Sequence, residues 1–136
     1  MKRRKAREYA LQFLYRIDFI NTASPKSVDL KAFWTDVEEK DADLKAFAED
    51  IISGALKNLY EIDSIIQKAA EKWKISRIAS IDRNILRLAA YELLFRKDIP
   101  QAVTINEAIE IAKKYSTSES ASFINGILDR IAKEYA

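Results

Sequence analysis

The sequence contains neither cysteine nor histidine, and its 136 residues include only two glycines and two prolines. Without thiol or imidazole groups, the chain lacks the side chains of a cysteine nucleophile, a histidine-centred triad, a redox pair or an ordinary zinc site. Average usage would supply about nine glycines and about seven prolines. This scarcity disfavours β-sandwiches, which need frequent turns, and nucleotide-binding α/β folds, which need glycine-rich loops. We therefore expect an all-α fold. Among metal sites, the composition still allows a magnesium site built from oxygen ligands.

The length of 136 residues matches one domain, and no apolar run approaches the roughly 18 residues of a membrane span. The basic start is similar to the first region of a signal peptide, but charged and polar residues interrupt the apolar core that such a peptide needs. The lack of cysteine fits a reducing compartment. We expect a cytoplasmic protein with a single compact domain over residues 1–136 and no cofactor.

The net charge is only +2, but the charges are unevenly distributed. Residues 1–7 carry five basic side chains and no acid, residues 29–63 carry ten acidic against four basic ones, and residues 72–97 carry seven basic against two acidic ones. Five cations so close together repel one another unless an anion neutralises them, which favours nucleic acid as the partner of this N-terminal arm. The acidic segment is better explained as a solvated surface. The candidate phosphate contacts are Lys2, Arg3, Arg4, Lys5 and Arg7.

The number of phosphate contacts sets the salt dependence of binding. Five contacts to a single strand predict a slope of log affinity against log salt of about −3.5, or roughly a hundredfold loss of affinity from 50 to 200 mM salt. A measured slope therefore counts the arm cations that reach RNA.

Apolar residues recur at three- and four-residue steps along most of the chain, the spacing of amphipathic helices. Seven such stripes predict seven helices, the first running from the arm to a break at residues 21–25 and the second following Ser27. The fifth stripe is apolar nearly all round, as in a central helix. Local patterns predict that Ser80 caps the fifth helix, that residues 104–107 form a capping box for the sixth, and that residues 116–119 cap the seventh. We expect Gly54 to allow a close helix crossing and Gly126 to mark tight packing.

Four stretches of the sequence, taken in order, resemble the NusB family of bacterial transcription antitermination and rRNA-processing factors. They lie within residues 3–15, 73–93, 105–113 and 123–129, and include IDRNILRLAAYEL at 81–93, INEAIEIAK at 105–113 and FINGILD at 123–129. Each piece alone is a common helical pattern, but four in order with the correct spacing are specific.

The resemblance implies a NusB-like helical protein that binds single-stranded boxA-type RNA of rRNA operons. It also implies the ribosomal protein NusE as heterodimer partner and recruitment to the RNA polymerase antitermination complex. We expect no enzymatic activity, because the sequence offers no phosphate loop and no cluster of metal ligands. The alternative is a helical interaction or scaffold module, with a homodimer as one form of it, whose RNA binding is weak or lost.

The resemblance also assigns a second RNA-binding region at the start of the last helix, where aromatic and polar side chains lie together. Single-strand recognition needs such aromatic planes and polar groups. An alternative for Phe123 is an ordinary core position, because Ile127 shares its helical stripe. The family usually has glycine at the position of Ser116 and lysine or arginine at that of Ser122, so we expect weaker RNA contact here. The residues assigned to RNA in this region are Tyr115, Ser118, Glu119, Ser122 and Phe123.

The resemblance places the NusE interface on the first helix and along the fifth. Arg83 and Arg87 share one helical face, since they are four residues apart. The alternative is an exposed intrahelical ion pair, with Asp82 complementing the helix dipole, that needs no partner. The residues assigned to the protein partner are Tyr15, Asp82, Arg83, Arg87 and Glu92.

Overall fold

The computed structural model describes residues 2–20 and 30–136, and all regular structure in these ranges is helical. Within these ranges the predicted all-α class and the predicted number of seven α-helices are confirmed. The predicted break at residues 21–25 and the helix start at Ser27 lie outside the described ranges. The helices are α1 (Lys2–Ile20), α2 (Leu30–Val37), α3 (Ala42–Lys57), α4 (Leu59–Ala70), α5 (Ser80–Phe95), α6 (Gln101–Tyr115) and α7 (Ser118–Glu134), with a 3-10 turn at Ile75–Arg77.

Helix α5 is the centre of the fold and contacts α1, α3, α4, α6 and α7. Between Ile85 and Leu93 every side chain except that of Arg87 is buried. Burying one leucine or isoleucine side chain contributes about 1.5–3 kcal/mol, so a helix buried on nearly all sides organises the others around it. The expectation that the fifth helix is central is therefore confirmed.

Gly54 lies where α3 crosses α5. A Cβ atom at this position would overlap the ring of Tyr91, so the predicted close crossing is confirmed. The Tyr91 hydroxyl donates to Asp50 at 3.0 Å, and burial together with this hydrogen bond raises the pKa of Tyr91 to about 12. The glycine thus makes room for a buried tyrosine that ties the two helices together.

Two of the three predicted helix starts are wrong because the polar side chains concerned bind other parts of the fold. The Ser80 hydroxyl donates to Asp18 of α1 at 2.7 Å, and Ala79 occupies the cap position of α5. Helix α6 begins at Gln101, so Thr104 lies inside its first turns, where its hydroxyl donates to Glu92 at 2.9 Å. The third start is confirmed, since the Thr117 hydroxyl accepts a hydrogen bond from the Ser120 amide at 2.9 Å.

Candidate nucleic-acid interface

The basic arm forms the first two turns of α1, which packs against α3 and α5. This helical geometry separates the five arm cations instead of presenting them together. Lys2, Arg3 and Lys5 are exposed, Arg4 is half-buried and Arg7 is buried. Only part of the predicted cluster therefore faces solvent.

Arg7 points into the interior and pairs with Glu92. Its guanidinium donates two hydrogen bonds to the Glu92 carboxylate, at 2.7 and 2.8 Å, and the two residues are 2% and 1% exposed. The predictions that Arg7 contacts phosphate and that Glu92 contacts a protein partner are therefore wrong for the folded chain. The sequence held a signal for this, because Arg7 shares a helical face with the buried Leu11 and Leu14.

Arg4 is also directed away from the arm surface. Its guanidinium forms a two-pronged hydrogen bond with Glu107 of α6, with both N···O distances at 2.7 Å. These hydrogen bonds hold the pKa of Glu107 below its usual range even though burial alone would raise it. Glu107 therefore joins α6 to α1 and does not serve in a capping box, and Arg4 is available to phosphate only if this pair opens.

Trp73 and Phe123 form an aromatic corner between the end of α4 and the start of α7. Trp73 is 59% exposed, and its ring meets the partly buried Phe123 ring nearly at right angles, with 6.1 Å between centroids. The two rings line a surface pocket of about 220 Å³ together with the exposed Arg77 and with Asp82. Arg77 forms no ion pair with any residue of the described ranges, so its charge is available to a ligand. Three predicted polar residues of α7 are exposed beside Phe123, namely Ser118, Glu119 and Ser122.

Sequence reasoning missed Trp73 and Arg77 as candidate binding residues. They lie about 50 positions before Phe123 and meet it only through the packing of α4 and α5 against α7. A signal was present, since Lys72, Trp73, Lys74 and Arg77 interleave an aromatic ring with basic side chains. This pattern is typical of single-strand binding surfaces.

Tyr115 and Asp82 take mainly internal roles. The Tyr115 hydroxyl donates to Glu8 at 3.0 Å, and burial followed by this bond raises its pKa. Asp82 is 6% exposed and accepts a hydrogen bond from Ser120 at 2.7 Å, so it links α5 to α7 and presents little surface to a protein partner. Its second oxygen, Oδ1, is buried and has no hydrogen-bond partner among residues 2–20 and 30–136.

Arg83 and Arg87 reach across to other helices. Arg83 donates to Asp18 at 2.6 Å and to the Ile78 carbonyl at 2.8 Å, and Arg87 donates to both oxygens of Asp63 at 2.8 and 2.9 Å. The interpretation of an exposed intrahelical pair is therefore wrong. Although burial alone would raise it, the pKa of Asp18 is held low by hydrogen bonds, including that from Arg83. Tyr15, in the second half of α1, is half-exposed.

Gly126 does not support the expected tight packing. A Cβ atom at this position would have no neighbour within 4 Å, and both Asn125 and Gly126 are exposed. The packing interpretation of this glycine is wrong.

Within the part of the chain that the structure describes, no group of three or more carboxylates is placed to hold a metal ion. In the same ranges, none of the helices combines the length and the apolar character that crossing a membrane requires.

Comparison with known proteins gives a consistent result. The model of the NusB family matches residues 4–133. The chain is 56% identical to the transcription antitermination protein NusB of Thermodesulfovibrio yellowstonii over 142 residues, covering 98% of this chain and 93% of that protein. It is similar to the structure of T. maritima NusB, with 46% identity, a TM-score of 0.85 and coverage of 98% and 92%. It is also similar to a chain from a crystal structure of antitermination factors NusB and NusE in complex with dsRNA, with 31% identity, a TM-score of 0.88 and coverage of 98% of both chains.

Proposed function

The chain belongs to the NusB family, and on that premise we propose that it is a transcription antitermination factor. It acts without enzymatic activity as a single RNA-binding domain over residues 1–136. It binds single-stranded boxA-type RNA of rRNA operons together with NusE and joins the RNA polymerase antitermination complex through that pair.

The observation that carries this proposal is the aromatic corner beside Arg77, a cation without an ion-pair partner among the described residues. Trp73 offers an exposed ring, Phe123 lies against it, and Arg77 lines the same pocket. A base stacked on an aromatic side chain contributes about 1–3 kcal/mol, and a neighbouring guanidinium neutralises the phosphate that follows. The pocket therefore supplies both contacts that a single-stranded nucleotide requires.

The arm supplies a smaller electrostatic contribution than its sequence predicts. With Arg7 buried and Arg4 held by Glu107, three exposed cations remain, namely Lys2, Arg3 and Lys5. With Arg77 of the aromatic corner as a fourth phosphate contact, the salt slope is about −2.8, or roughly a fiftyfold loss of affinity from 50 to 200 mM salt. A slope near about −3.5 corresponds to five contacts and would mean that Arg4 or Arg7 leaves its internal partner on binding.

NusE adds a second surface to the same RNA site. Among the predicted contacts, Tyr15, Arg83 and Arg87 keep partial exposure in the fold and stay in the proposed interface. Because a coupling free energy is reciprocal, NusE should tighten RNA binding by the same factor by which RNA tightens NusE binding. A structurally similar chain comes from a crystal structure of NusB and NusE with dsRNA, which supports this pairing.

Fluorescence anisotropy with a labelled boxA-like RNA and a scrambled strand tests the proposal, at two salt concentrations and with or without NusE. We expect preference for the boxA-like strand, strengthened by NusE. Trp73→Ala should weaken binding about tenfold, the loss of one stacked base. Tyr60→Ala removes an aromatic ring that is 91% exposed and lies outside the pocket, so it should leave binding unchanged. Equal weak binding of both strands, unaffected by NusE, would support the interaction module instead.

A further inference from the structure

Residues 38–43, which comprise the connection between α2 and α3 and the first two residues of α3, lie against the first turn of α1 and are called here the acidic turn. It places carboxylates directly on two of the three exposed arm cations. The Glu39 carboxylate lies 3.3 Å from Lys5 Nζ, and the Asp41 carboxylate lies 3.1 Å from Lys2 Nζ. Asp43 adds a longer contact of 3.9 Å to Lys2. The same two lysines thus pair with internal carboxylates and, in the proposed function, also bind RNA phosphates.

The carboxylates of the acidic turn are fixed by the backbone, whereas the lysines are not. Glu39 accepts hydrogen bonds from the amides of Lys40 and Asp41 at 3.2 and 3.0 Å, and from the Tyr9 hydroxyl at 3.3 Å. Asp41 caps α3 by accepting from the Leu44 amide at 3.1 Å. Backbone hydrogen bonds, followed by the lysine contacts, hold the pKa of both carboxyl groups below their usual range. Both groups are therefore ionised and positioned before any ligand arrives.

The lysine side chains are more than half exposed, so a phosphate can approach them from solvent. Arg3, which lies between them in sequence, forms no ion pair within the described ranges and stacks over the Phe47 ring at 4.6 Å. It remains available for a first phosphate contact. An RNA strand would meet one unpaired cation and two that must first release a carboxylate.

We propose that the acidic turn is an internal competitor of RNA, whose Glu39 and Asp41 carboxylates occupy Lys5 and Lys2 until RNA phosphates displace them. This inference rests on the proposed function and concerns the regulation of the same site. An exposed ion pair shifts an equilibrium by about 1.5- to 5-fold, so two such pairs lower the affinity for RNA by about fivefold in total. The turn thereby weakens contacts that depend on charge alone and leaves the aromatic corner unaffected.

The double variant Glu39→Gln, Asp41→Asn tests this inference while keeping the turn intact. The glutamine oxygen still accepts from the backbone amides, and asparagine caps a helix about as well as aspartate. The matched control is Asp36→Asn, Glu38→Gln, which removes the same charge from the same region. Neither Asp36 nor Glu38 forms an ion pair with a residue in the described ranges. Circular dichroism checks that both variants remain folded.

We expect the Glu39/Asp41 variant to bind the boxA-like RNA about fivefold more tightly than the wild type at 50 mM salt. The Asp36/Glu38 control should gain less than about twofold, because unpaired surface charges act only through a screened field. Equal tightening by both variants, or none by either, would overturn the inference and leave the proposed function standing. If neither the wild type nor the variants bind RNA, the proposed function fails and the inference fails with it.

Discussion

Replacing Arg7 by methionine should destabilise the protein severely, because it leaves the carboxylate of Glu92 buried without its counter-ion. Methionine roughly fills the space of the arginine stem but donates no hydrogen bond. Among its side-chain hydrogen bonds to the described residues, Glu92, which is 1% exposed, would keep that from Thr104 at 2.9 Å and lose those from Arg7 at 2.7 and 2.8 Å. Removing one partner of a buried ion pair costs about 3–5 kcal/mol, a large share of the 5–15 kcal/mol by which a domain is typically stable.

The double variant Arg7→Met, Glu92→Leu should recover about half of that loss. It replaces both charges by apolar groups and leaves only the Thr104 hydroxyl without its acceptor, which costs about 1–3 kcal/mol. The two substitutions are therefore strongly non-additive. Urea unfolding followed by circular dichroism measures each free energy of unfolding, provided that the dependence on urea is the same for all variants. Gln12→Met, at an exposed position of the same helix, should stay within about 0.5 kcal/mol of the wild type.

The reasoning is refuted if Arg7→Met alone costs less than about 1 kcal/mol, or if the double variant costs the sum of the two single ones. The RNA affinity of the double variant is an independent test of the buried position of Arg7. Since Arg7 is 2% exposed, the folded double variant should bind RNA with the affinity of the wild type. A clear loss would return Arg7 to the set of phosphate contacts.

Two further predictions concern the glycines and the response to acid. Gly54→Ala should lower the free energy of unfolding by about 1–3 kcal/mol because it displaces the Tyr91 ring, whereas Gly126→Ala should raise it by about 0.5–1 kcal/mol; thermal melts that move both variants in the same direction would contradict this. Hydrogen bonds from Arg96 lower the pKa of Asp98 from 3.8 to about 2. A carboxyl group whose pKa is lowered by folding stabilises the fold above its ordinary pKa of 3.8, and this stabilisation is lost as the pH falls toward 2. Asp98→Asn should therefore flatten the loss of stability between pH 4 and pH 2. A stability profile identical to that of the wild type would disprove the role of this pair.

The sequence predicts the fold well where the signal is local. Apolar spacing identifies seven helices, and the fifth stripe, which is apolar nearly all round, identifies the central one. The failures at Ser80 and Thr104 have a common cause. Their hydroxyls donate to carboxylates on other helices, 62 residues and 12 residues away in sequence, and local spacing carries no information on such contacts. Residue patterns for caps are reliable only where the fold offers the side chain no better partner.

The candidate site is predicted less well, because it depends on which charges the fold pairs. Phe123 was identified from the resemblance, but Trp73 reaches it only through the packing of α4 and α7. The arm was identified from its charge density, yet the direction of each side chain follows from the helical period. Arg7 falls on the face that contains Leu11 and Leu14. The same apolar spacing that predicts the helix therefore also predicts that Arg7 is buried.

Charge along a sequence overstates the electrostatic attraction that a folded surface exerts. Of the five arm cations, Arg7 and Arg4 are committed to carboxylates of α5 and α6, and two lysines are held by the acidic turn. The two lysine pairs use acids of residues 29–63, the segment expected to be solvated surface, so this acidic stretch and the basic arm are parts of one arrangement. The pairing keeps the arm helical without RNA, because it relieves the repulsion among its cations. If the proposed function holds, the aromatic corner should carry a larger share of RNA binding than the charge of the arm suggests, since Lys2 and Lys5 must first be released from internal partners.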